Sequence, residues 1–141
     1  MFVQDRNSNR RFFVEVWEKY QSGQPLQPLE DLVLAVIKDH PEYHALLEQD
    51  ENILLQEYAP DMGVTNPFLH MGMHIAIREQ VSSDRPPGIR KLYQDLRVKS
   101  ASVHGLEHNI MECLGETLWS AQRNNTLPDE AVYLDCIKRI P

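Results

Sequence analysis

Nothing in this 141-residue chain stays apolar for long. Its longest unbroken apolar run, Leu32–Ile37, falls far short of the roughly 20 residues that a membrane-crossing helix needs. No membrane partner is therefore expected. No apolar segment follows Met1-Phe2-Val3-Gln4-Asp5-Arg6, so the pattern of a secretory signal is missing. Cysteine is scarce. Cys113 and Cys136 are too few for a disulfide framework, and as thiols they suit a reducing, cytoplasmic setting. Basic residues number 14 against 21 acidic ones, a net charge of -7. That excludes a general nucleic-acid binder, whose affinity comes from neutralised phosphates. The one basic stretch, Arg85, Arg90, Lys91, Arg97 and Lys99, is interrupted by Asp95. No Gly-rich phosphate loop and no Gly-x-Ser-x-Gly elbow occur, and Arg85-Pro86-Pro87-Gly88 reads as a turn.

Strand-like alternation is absent too, and what remains is helical. Apolar residues recur at helical spacing over Asn9–Gln21 (Phe12, Phe13, Val16, Trp17, Tyr20), capped by Asn7 or Ser8 and ended by Ser22-Gly23-Gln24-Pro25. Pro28 suits the first turn of a second helix, Leu29–Asp39, which Pro41 breaks or kinks. A third is expected over Glu42–Tyr58, then a loop over Ala59–Thr65. Asn66-Pro67 opens a fourth helix to Val81, apolar on nearly every side and so expected to be buried. A short amphipathic helix, Ile89–Arg97, follows. The longest, capped by Ser100 or Ser102, runs to Arg123. Thr126 with Asp129 resembles a capping box for a last helix reaching Ile140. The expectation is an all-α, single-domain helical bundle over residues 1–141, with short accessory helices.

All six histidines fall into pairs four apart: His40/His44, His70/His74 and His104/His108. Random placement would give about 0.2 such pairs, and the spacing matters because residues four apart are neighbours on one helix face. Two imidazoles stacked this way can both reach one metal ion, and a second pair on another helix completes a four-ligand site. His70, His74, His104 and His108 are the expected ligands. Glu112, one turn past His108, is a candidate fifth ligand or base, and His44 a candidate from a third helix. His40 is set aside because a residue before proline is biased away from helical geometry. The donors suit zinc, iron or nickel. An open coordination position would allow metal-dependent hydrolysis of a small-molecule substrate, and a closed one a structural or sensing role.

Neighbouring residues carry further expectations. His104-Gly105-Leu106-Glu107-His108 has the HxxEH spacing of one zinc-protease class, a short match that leaves 33 residues for a third ligand. Glu107 otherwise faces solvent or supports a ligand. Cys113 reads as a buried thiol, and Met111, Leu118 and Trp119 as apolar walls on the His104/His108 face.

Asn66-Pro67-Phe68-Leu69-His70-Met71-Gly72-Met73-His74, Met111-Glu112-Cys113-Leu114-Gly115-Glu116 and His40-Pro41-Glu42-Tyr43-His44 together resemble a family of small bacterial proteins that is a domain of unknown function. The resemblance covers nearly the whole chain, and it implies a bacterial, cytoplasmic protein without supplying an activity. More loosely, the histidine pairs are similar in style to hemerythrin- and DinB-type helical metalloproteins. Two other readings stand beside a metal site. One is a non-catalytic interaction module with structural histidines, where the apolar Asn66–Val81 helix is covered by its own chain or by a homo-oligomer partner. The other is a pH sensor working through buried imidazoles.

Overall fold

The computed structural model describes residues 6–48 and 66–141, with side chains from Arg10 onward. Every regular element among them is helical: α1 (Arg6–Gln21), α2 (Pro28–Lys38), a 3-10 turn (Pro41–Tyr43), α3 (His44–Leu47), α4 (Pro67–Ser83), α5 (Ile89–Lys99), α6 (Val103–Asn124) and α7 (Glu130–Lys138). The all-α expectation holds. α1 starts at Arg6, so Asn7 and Ser8 lie inside it rather than capping it. The expected third helix is a 3-10 turn and a single turn of α-helix as far as Leu47. Its remainder, with Ile53, Leu54 and Leu55, and the expected loop before Asn66 lie outside the described residues.

The chain divides into two compact units, residues 1–75 and 76–141, the division falling within α4. In the first, α1 contributes Phe13, Val16 and Trp17 to a buried cluster. α2 adds Val33, Leu34, Val36 and Ile37, α3 adds Leu47, and the start of α4 adds Phe68, Met71 and Ile75. Pro28 occupies the first turn of α2, where its missing N–H costs nothing. Glu30 reaches back to accept from the Gln27 backbone N–H at 2.9 Å and takes a 2.7 Å bond from Lys19, which ties α1 to α2. Both contacts hold its carboxyl below the usual carboxylate range, the Gln27 N–H first. Asn66 caps α4 as expected, its Oδ1 accepting from the Phe68 and Leu69 N–H groups at 3.0 and 3.1 Å.

The second unit buries Ile77, Ile89, Leu96, Leu106, Ile110 and Leu114 together with Tyr133 and Ile137 of α7. Ser102 caps α6, accepting from Gly105 N–H at 3.0 Å. α6 ends at Asn125, whose φ of 54° is the left-handed turn asparagine tolerates. Thr126 is not the cap of α7. Asp129 is, its Oδ1 accepting from the Ala131 and Val132 N–H groups at 3.0 and 3.2 Å. A carboxylate beside the first N–H groups also complements the helix dipole, which makes the shorter route the better one. Tyr133 donates its hydroxyl to Gln80 at 2.6 Å, and burial pushes its phenol well above the usual value.

Two outcomes follow. Asp129→Ala lowers stability by about 1 kcal/mol in chemical denaturation, while Thr126→Ala leaves it unchanged. Because Tyr133 resists ionisation in the folded state, its contribution is fully present below about pH 10 and is lost as pH rises beyond that. Wild-type stability therefore falls on the alkaline side, and Tyr133→Phe flattens that limb.

Candidate metal centre

Pro41 decides where His40 goes. The residue before proline is pushed out of the helical region, and His40 sits at φ -126°, ψ 65° at the end of α2. The chain folds back there, and the buried imidazole takes up a place that a continuing helix would not give it. Its Nδ1 donates to the Val36 carbonyl at 2.7 Å. A carbonyl only accepts, so the neutral ring carries its lone pair on Nε2. The ring stacks on Tyr43 (centroids 5.5 Å, 8°) and meets His70 edge-on at 5.0 Å and His74 at 4.8 Å. His70 and His74 lie 5.0 Å apart on α4, as spacing by four requires. Three imidazoles thus gather within the first unit.

His44 goes elsewhere. Its Nε2 donates to the Ile37 carbonyl at 2.8 Å and its ring lies 4.4 Å from Trp17, whose Nε1 donates to Glu48 at 3.3 Å. These contacts give His44 a role in closing the end of α2.

In the second unit, His104 and His108 sit one turn apart on α6, both half-buried, with rings 4.3 Å apart. Glu107 does not face solvent. It is 1% exposed, and both its oxygens accept from Arg78 Nε, at 3.1 and 3.3 Å. Tyr93 donates its hydroxyl to the same carboxylate at 3.3 Å, and burial, then the Glu107 charge, raises its pKa. Glu107 is thus engaged by Arg78 and Tyr93, so the HxxEH spacing here carries a buried carboxylate in an ion pair.

One ring nitrogen from each of His40, His74, His104 and His108 lies within 4.8 Å of the others, and these four could hold a metal ion. Three of the four expected ligands are in this group. His70 is not, although its ring touches two members of it within the first unit. His44 and Glu112 are outside it as well. His40, which sequence reasoning set aside, replaces His70. The available signal was the His-Pro pair itself, since the bend that removes His40 from a helix also returns it to α4. Arg78 was missed too, though a guanidinium on an otherwise apolar helix demands a buried acid.

Glu112 is exposed and lines a cleft of about 380 Å³ in the second unit, together with Cys113, Glu116, Cys136 and Arg139. Cys113 and Cys136 are disulfide-bonded, joining α6 to α7, which corrects the expectation of two thiols. Their separation of 23 residues hides the pairing in sequence; packing α7 against α6 creates it. Leu118 and Trp119 are exposed rather than walls of the histidine face, with Arg123 stacked 5.1 Å from the Trp119 ring.

The fold and these side chains define an all-helical protein with a histidine cluster able to hold a metal ion. The chain belongs to the family described as a domain of unknown function, DUF1841, whose model matches residues 5–139. No curated protein and no solved structure matches it. No described helix is long and apolar enough to cross a membrane.

Losing one member of an ion pair whose acid is buried costs more than replacing both members with apolar side chains. Glu107→Ala therefore destabilises the protein by about 3–5 kcal/mol, whereas Arg78→Met combined with Glu107→Leu stays within about 1 kcal/mol of wild type; denaturant titration of the three proteins separates the cases.

Proposed function

We propose that the protein is a metal-binding helical protein in which His40, His74, His104 and His108 hold one divalent ion, with zinc, iron and nickel the candidates. The observation that carries this reading is the 4.8 Å span of four ring nitrogens. Around a tetrahedral zinc ion, with bonds of 2.0–2.1 Å, donor nitrogens stand about 3.3 Å apart. Small rotations of the half-buried His104 and His108 rings cover that difference. The donor chemistry fits as well. His40 already donates Nδ1–H to a backbone carbonyl, the outer-shell arrangement that orients a metal-binding histidine and directs Nε2 to the ion.

Four protein nitrogens fill a tetrahedral shell, which leaves no position for water. The reading thus favours a structural or sensing ion over metal-dependent hydrolysis. Hydrolysis requires an ion that accepts a fifth ligand, as iron and nickel do more readily. A cytoplasmic, bacterial setting rests on the family resemblance, since the disulfide is more at home in an oxidising compartment.

A second reading, a non-catalytic interaction module with structural histidines, draws support from the last turn of α2. His40 and His44 donate there to the carbonyls of Val36 and Ile37, an employment that needs no metal.

The test is metal content in protein purified without a histidine tag. One equivalent per chain is expected, lost in His74→Ala/His108→Ala and kept in His44→Ala and Glu112→Gln. Metal-free wild type whose melting temperature ignores added zinc, iron and nickel would overturn the metal reading in favour of the second one.

A further inference from the structure

The cleft of the second unit takes no part in the metal reading, and it carries chemistry of its own. Asn109, Glu112, Cys113 and Glu116 recur at helical spacing on α6 and line it from one side, while Cys136 and Arg139 line it from α7. The disulfide therefore borders an open cavity of about 380 Å³, large enough to admit a thiol reagent. The two sulfurs are not equivalent. Cys113 is 3% exposed, whereas Cys136 is only half-buried. The chain has no third cysteine, so exchange within it is ruled out and any electron donor must come from outside.

From this arrangement we infer that the cleft is a thiol–disulfide exchange site, whose disulfide accepts two electrons from an external dithiol of neutral or positive charge. A donor thiolate attacks Cys136 Sγ, the reachable sulfur, and forms a mixed disulfide. Cys113 Sγ leaves with the electron pair of the broken S–S bond and takes up a proton. The donor's second thiolate then attacks its own sulfur in the mixed disulfide and expels Cys136, which is protonated in turn. The donor ends as a disulfide and the protein as two thiols. Donor choice follows from the lining: two carboxylates, Glu112 and Glu116, face one guanidinium, Arg139, so an approaching anion is repelled. The structural consequence is local. α7 is nine residues long, too short to persist alone, and it buries only Tyr133 and Ile137. Breaking the covalent tie removes one of its anchors to α6, while the burial of Tyr133 and Ile137 and the Tyr133–Gln80 bond remain.

The intact protein is incubated without denaturant in cysteamine, 2-mercaptoethanol or glutathione, quenched by alkylation and weighed by mass spectrometry, with rates compared per thiolate. Mixed disulfide on Cys136 is expected, fastest for cationic cysteamine and about tenfold slower for anionic glutathione, and dithiothreitol should carry the protein on to two alkylated cysteines. Adding 0.5 M salt, or making Glu112→Gln/Glu116→Gln at these two exposed positions, brings the three rates together. Hydrogen exchange over residues 130–138 should quicken in the reduced protein. A disulfide that reacts only once denaturant is added overturns the proposal, as does a thiol order indifferent to both salt and the glutamate changes. Neither readout involves metal, so its failure leaves the four-histidine reading standing and the reverse also holds.

Discussion

One ion pair with a buried acid organises the second half of the protein. Arg78 projects from an otherwise apolar stretch of α4, and an unpaired guanidinium there would be costly. Glu107 answers it with both oxygens, and Tyr93 of α5 adds a hydroxyl to the same carboxylate. A pair of this kind adds little net stability, but it ties α6 to Arg78 through a buried carboxylate. His104 and His108 flank Glu107 in sequence, and His74 lies one turn before Arg78 on the same helix.

Proline plays the matching part in the first half. Pro41 ends α2 abruptly, and His40, forced out of helical geometry, turns its ring toward His70 and His74. The Val36 carbonyl then sets which nitrogen bears the proton. His44 lies beyond the bend and is captured by Ile37 and Trp17 instead. Two histidines four apart in sequence thus serve different ends, because a proline separates them.

The legible and illegible parts divide on physical grounds. The start of α4 could be read because Asn66-Pro67 combines a capping side chain with a residue preorganised for the first turn. The His104/His108 pair could be read because spacing by four on a long helix leaves little freedom. The cap of α7 is ambiguous in the sequence because Thr126 and Asp129 are both competent, and only the path of the chain after Asn125 chooses between them. Trp119 is exposed rather than a wall, which the sequence does not show because helical periodicity gives angles around an axis without saying which side faces a neighbour.

The positions of α2, α4, α5 and α6, the Asn66 cap of α4 and the three histidine pairs belong to the sequence itself, since each depends on residues within a turn or two of one another. Substituting His40 for His70 in the cluster, burying Glu107 beneath Arg78 and joining Cys113 to Cys136 all belong to the tertiary structure. Each of these joins residues from different parts of the chain, and which faces meet is decided by how the apolar surfaces pack, a property no local spacing encodes.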